Sequence, residues 1–200
     1  MKTIERVPIW SPGMNIELPV RGEDIKYFKE WVNWNCYSNE HDGFDFAAYI
    51  NSKGKCVLGL PAETPIRAIA DGAVMQVSQG LTEGDGYGTW ITIEHGKESY
   101  RVSQYHHVNP LVDWDQHVKK GDVIATLHKD NGSSEGRLVH LHLCLYDWPE
   151  NIKRRGIDPE QIFPEVARLK AYPQGRKNFS IPNGKKIKVV HANFRNLRSD

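Results

Sequence analysis

Hydrophobic and polar residues alternate through most of the middle of this chain. Ala73–Gln79 places Ala73, Met75 and Val77 on one face, Trp90–His95 alternates around Ile91 and Ile93, and Leu138–Tyr146 alternates almost without a break. A period of two marks a strand with one face buried. Asp122–Leu127 is a short apolar run behind the turn pair Lys120-Gly121, and Asp71-Gly72, Glu83-Gly84-Asp85-Gly86, His95-Gly96 and Asn131-Gly132 punctuate the rest. Helical spacing is confined to the ends. Over Arg21–Val32 it puts Ile25, Phe28 and Val32 on one face, and Asp158–Leu169 opens with an Asp N-cap and a Pro at the first helical position, Pro164 limiting its length. The pattern predicts a β-rich protein with small peripheral helices.

Composition narrows the class. The chain has 200 residues, enough for one well-cored domain with appended elements. With 26 Lys and Arg against 25 Asp and Glu, it lacks the basic excess of a nucleic-acid-coating protein. No apolar run approaches the roughly 18 residues of a membrane span, and Met1–Pro8 has no apolar region of the kind a secretory signal carries. The near-neutral total conceals an uneven distribution: residues 170–200 hold eight Lys and Arg and a single acid, Asp200, so the body before them is acidic. The division predicted is an N-terminal extension with a short helix over 1–39, a main domain over 40–169, and a basic appendage over 170–200. Three cysteines, Cys36, Cys56 and Cys144, show no C-x-x-C spacing.

The candidate chemistry lies among nine histidines. In Val139–Tyr146, alternation sends Val139, Leu141, Leu143 and Leu145 to one face and His140, His142, Cys144 and Tyr146 to the other. A one-residue slip would drive both imidazoles into the core, so the register is firmly set. The two imidazoles lie about 6.5–7 Å apart at Cα, which suits one metal ligand and one neighbour over the metal's open position. A half-exposed strand that carries two histidines fits the same pattern. In His41-Asp42-Gly43-Phe44-Asp45-Phe46, an extended chain turns His41, Gly43 and Asp45 one way and both phenylalanines toward the core. Gly43 would leave room for a small object such as a metal ion. His41, Asp45 and His142 then offer N, O and N donors with a fourth position open, the arrangement of a catalytic zinc site; a surface charge pair is the plainer account of His41 and Asp45 alone.

At this point the sequence resembles the lysostaphin-like (LytM-type) zinc metallopeptidases, which cut peptide cross-links in bacterial peptidoglycan. The matching segments, in the family's order, are His41–Phe46, Gly86-Tyr87-Gly88, Tyr105-His106-His107, Lys119-Lys120-Gly121 and His140-Leu141-His142. Thr64-Pro65-Ile66, Ala70–Val74 and Ile157-Asp158-Pro159 add to them, and the resemblance spans about 40–164. It implies an all-β, β-sandwich-like fold (a duplicated hybrid motif, or barrel-sandwich) with the site in a groove across one sheet. It implies one Zn2+ held by His41, Asp45 and His142, with His107 and His140 as the catalytic histidines. Metal-free imidazoles beside the ion would take a water's proton and hydrogen-bond the developing oxyanion. Strand alternation lets one of His106 and His107 face the site, and would put Tyr105 on the His107 face. Tyr87, at the Gly-Tyr-Gly entry, is the expected substrate-binding aromatic. The expected partner is peptidoglycan peptide, with no nucleic acid and no membrane span, and the implied location is extracellular, periplasmic or cell-wall associated. A catalytically silent member that binds the wall or regulates another hydrolase is the alternative.

The chain departs from the family pattern at several places. Arg137-Leu138-Val139 replaces the usual Gly-Pro before the histidine pair, and Cys144 stands where an acid usually follows it. Cys144 is open to a fourth-ligand or ligand-orienting role, or to that of a small half-buried thiol. Extra length between Phe46 and Thr64 predicts an inserted hairpin turning through Asn51–Lys55. Ile187–Asp200 resembles the first strand of a bacterial SH3 domain, and the basic tail could hold an anionic cell-wall polymer by charge. His95, His117 and His128 read as surface residues.

Overall fold

The sequence alternation becomes three sheets in a computed structural model that describes residues 16–32, 41–78, 89–96, 101–129, 139–147, 155–157, 162–163, 178–180 and 186–191. The large sheet runs β10 (His117–Val118), β6 (Gly72–Val77), β7 (Trp90–Glu94), β8 (Arg101–His106), β12 (Leu141–Asp147) and β13 (Arg155–Ile157). A further strand, β2 (Phe44–Phe46), pairs with the first half of β12, so β12 lies between β8 on one side and β2 and then β13 on the other. A three-stranded sheet, β5 (Pro65–Arg67), β11 (Val123–Leu127) and β9 (Val108–Pro110), shares the core.

That core is built by the apolar halves of the alternating runs. Phe44, Phe46, Ile91, Ile93, Leu141, Leu143 and Leu145 from the large sheet meet Ile66, Val108, Ile124 and Leu127 from the small one, all almost fully buried. Each leucine of β12 contributes about 1.5–3 kcal/mol by burial, so the strand cannot slip register cheaply. The fold is the all-β, sandwich-like class expected, with two sheets facing one apolar layer.

The length between Phe46 and Thr64 forms the hairpin expected there. β3 (Ala48–Asn51) returns as β4 (Cys56–Leu58), and Asn51 Oδ1 accepts the Lys53 and Lys55 amides at 3.0 Å each to close the turn. This hairpin nucleates a third sheet, in which β1 (Phe28–Val32) pairs antiparallel with β3. β15 (Lys186–His191) lies parallel to β4 and antiparallel to β14 (Asn178–Ser180).

β1 corrects one expectation. Helical spacing over Arg21–Val32 gives instead a single 3-10 turn at Gly22–Asp24, a left-handed Tyr27 (φ 65°) and then a strand. The aromatic and β-branched content of 28–32 suits a pleated surface, and the edge of β3 offers it a ladder. Trp31 packs edge-on against Phe46, with centroids 5.5 Å apart, so the apolar residues reach the core by a different route. The second expected helix, apart from Ile162 and Phe163, lies outside the described residues, as do Tyr87, Cys36 and the Gly-Tyr-Gly segment.

Candidate metal centre

Sheet register assembles the site. His142 on β12 is paired with Asp45 on β2 and with His106 on β8, and His106 is paired in turn with Trp90 on β7. Asp45, His142, His106 and Trp90 therefore form one row across four strands, on the face opposite the leucines. His41 reaches the same place from just ahead of β2, its Nε2 3.2 Å from Asp45 Oδ1. His142 Nδ1 is 2.9 Å from that same oxygen, and His140 Nε2 is 3.5 Å from it. One carboxylate oxygen is thus the hub of three imidazoles.

Asp45 is 6% exposed. Burial disfavours its charge, but the hydrogen bonds with His142 and His41 outweigh that and hold the carboxyl well below its ordinary range. His142 shows the converse balance: burial opposes protonation, while Asp42, Asp45 and Cys144 together raise its pKa. His107, 7% exposed, is pushed down to about 2, first by burial and then by the neighbouring imidazoles, so it is neutral at neutral pH. Its Nδ1 is buried with no hydrogen-bond partner among the described residues. The His107 and His140 rings lie 4.7 Å apart between centroids.

The donor atoms of His41, Asp45 and His142 all lie within 4.8 Å of one another. A tetrahedral zinc with bonds near 2.0–2.2 Å holds its ligand atoms roughly 3.3 Å apart, so the 2.9 Å and 3.2 Å separations are of the right size. Two nitrogens and a carboxylate oxygen are also the right chemistry, and the residues present fit one zinc ion.

Three expectations change at residue level. Alternation was to admit one of His106 and His107. In the structure β8 ends at His106 and His107 takes a left-handed backbone, φ 64°, which resets the alternation and brings both rings to the site. Their centroids are 5.3 Å and 6.2 Å from that of His142. For the same reason Tyr105 does not share the His107 face: it is fully buried on the core side, its Oη accepting the Ile69 amide at 3.0 Å. Gly43 does not leave space for an ion. A Cβ there would lie 2.6 Å from the Leu143 carbonyl oxygen and 2.7 Å from the His142 ring, so the missing side chain admits β12 itself. Sequence reasoning also passed over Asp42, whose Oδ2 accepts the Tyr146 hydroxyl at 2.7 Å and whose Oδ1 lies 3.5 Å from His142 Nε2. The only signal for it was an acid directly beside His41.

The fold and this row define a β-sandwich protein with a His, Asp, His donor set open on one sheet face. The family model described as Peptidase family M23 matches residues 39–159, and the chain belongs to that family. Among curated proteins it is 33% identical over 120 residues to the uncharacterized lipoprotein YgeR of Escherichia coli (strain K12), covering 60% of this chain and 39% of that protein's length. Among solved structures it is similar to the catalytic domain of the antimicrobial peptidase lysostaphin from Staphylococcus simulans, at 17% identity and a TM-score of 0.44, over 70% of this chain and 95% of that one. It is also similar to a zinc containing peptidase from Vibrio cholerae, at 23% identity and a TM-score of 0.43, over 70% and 37% of the two chains.

Proposed function

We propose that this chain is a zinc-dependent endopeptidase that hydrolyses peptide bonds in the stem or cross-bridge peptides of bacterial peptidoglycan. The observation that carries the reading is the convergence of His41, Asp45 and His142 donor atoms within 4.8 Å of one another, beside a second imidazole pair that the metal does not need. Membership of a peptidase family supports it. Zinc at such an open site supplies Lewis-acid activation of a peptide carbonyl and of water.

The protein's own part follows from its imidazoles. His107 lies beside His140, and its buried Nδ1 has no hydrogen-bond partner among the described residues, so this nitrogen is open to take a proton from water. His140, one ring away, is placed to share the proton or to donate to the oxyanion as the carbonyl becomes tetrahedral. Asp45 places its carboxylate charge within hydrogen-bonding reach of His41 and His142 and beside His140. The substrate puts the reaction outside the cytoplasmic membrane; no helix among the described residues is long and apolar enough to cross one.

The test is loss of turbidity of purified cell walls by zinc-loaded protein, with and without a chelator. Cleavage should stop on chelation and return with zinc. His107→Ala and His140→Ala should each lower the rate by at least 100-fold, the scale of general acid–base catalysis, while one zinc per chain stays bound. Protein that takes up no zinc, or that carries zinc and cuts no wall, would overturn the proposal.

A further inference from the structure

The nitrogen of His142 that faces away from Asp45 has its own surroundings. A histidine that ligates through Nδ1 must carry its proton on Nε2, and a ring this buried needs an acceptor for that proton. His142 is 6% exposed. Its Nε2 lies 3.0 Å from Cys144 Sγ and 3.5 Å from Asp42 Oδ1. The Cys144 thiol in turn points at Asp42 Oδ1, 3.7 Å away, and the Tyr146 hydroxyl donates to the other oxygen of Asp42 at 2.7 Å.

Cys144 and Tyr146 follow His142 at successive same-face positions of β12, whereas Asp42 comes from the segment ahead of β2. The family pattern carries an acid at the Cys144 position. Here a thiol occupies that place, and a carboxylate, Asp42, stands in the neighbouring segment, where Tyr146 holds it.

We propose that Asp42, fixed by Tyr146 and relayed through Cys144, is the positioning residue that holds His142 as its Nε2–H tautomer and so presents Nδ1 to the metal. The proposal rests on the zinc reading above and adds to it the source of the orienting charge. Asp42 touches neither substrate nor metal in this arrangement; it acts through the ring. A neutral thiol alone is a weak acceptor, whereas a carboxylate behind it gives the ring a charge-assisted anchor. Hydrogen-bond partners behind a ligand typically change metal affinity by 10–100-fold when removed.

The test uses the full chain and zinc affinity by competition with a chromophoric chelator, alongside 15N–1H spectra of the histidine rings. Asp42→Ala should bind zinc 10–100-fold more weakly than the parent and lose the protected Nε2–H signal of His142. Tyr146→Phe should lose less, by severalfold. The double variant Asp42→Ala/Cys144→Glu should recover most of the affinity and the ring signal, because the side chain at 144 already reaches the same nitrogen, its Sγ 3.0 Å away. A merely structural role for Asp42 would not be rescued from another strand. The Asp42 side chain is about half exposed, so its removal leaves the core intact, and thermal unfolding of each variant checks this. If the parent binds zinc and Asp42→Ala binds it within twofold, this proposal falls and the zinc reading stands. If the parent takes up no zinc, both fall.

Discussion

His95 shows how one residue escapes its sequence context. Beside Gly96 at a strand end it reads as a surface histidine, yet it is 6% exposed. Its Nδ1 lies 2.9 Å from the Asp71 carbonyl oxygen and its Nε2 2.7 Å from Ser103 Oγ, which is 3.1 Å from Tyr105 Oη. Ser103 Oγ donates to Tyr105 Oη, which also accepts the Ile69 amide. His95 is held neutral at pH 7. Burial, opposed by the Asp71 carbonyl and aided by the Arg101 charge, lowers its pKa to about 4. The unfolded chain therefore binds a proton that the folded chain refuses below about pH 6.5. Stability from this group is full above that pH and lost as pH falls toward 4, by about 3 kcal/mol in all. His107 is held neutral as well, so the parent curve alone does not isolate the effect. Urea unfolding of the parent and of His95→Gln should show a stability gap that narrows by about 2–3 kcal/mol between pH 7 and pH 4.5; a constant gap would refute the linkage. His117, which reads the same way, is exposed. The difference between the two is set by which strands close over them, and that is a tertiary fact.

Among elements, β12 was legible because the alternation of Val139–Tyr146, with four aliphatics on one face and two histidines on the other, demands one register. The Asn51–Lys55 hairpin was legible from its turn chemistry. β1 was not: its apolar residues satisfy both a helical face and a strand, and the edge of β3 decides between them. The left-handed step at His107 left no mark either, although histidine is among the few non-glycine types enriched there. The pairing of β2 with β12 offers the sharpest test at this scale. A methyl group at position 43 would press on the Leu143 carbonyl and the His142 ring, and a backbone atom cannot rotate away. Gly43→Ala should cost about 1–3 kcal/mol by overpacking and weaken zinc binding at least tenfold, because Asp45 and His142 part with the strands. Denaturant unfolding of the zinc-free protein reads the first effect and chelator competition the second. Zinc bound as tightly as in the parent would mean that the strands separate without moving the donors.

For the whole molecule, the order of short motifs along the chain was readable, but the segments outside them were not. Strands on both sides of the central region, β1 and β15, meet on the inserted hairpin through pairings that no local pattern specifies. The proposed metal donors make a similar long-range demand. Asp45 and His142 are 97 residues apart and come into contact only when β2 and β12 pair. The donor set therefore exists in the folded chain alone, so zinc should bind the native state and stabilise all of it. At a free concentration of 100 times its Kd, one ion adds about 2.7 kcal/mol. For a chain of this length that raises the Tm by roughly 5–10 °C. The same measurement sorts the five site residues into their two proposed classes. His41→Ala, Asp45→Ala and His142→Ala should unfold at one temperature with or without zinc. His107→Ala and His140→Ala should keep the full zinc-dependent rise although they cut no wall. A parent whose Tm ignores zinc would break the link between the metal and the fold, and a rise lost on changing His107 or His140 would move that residue into the donor set.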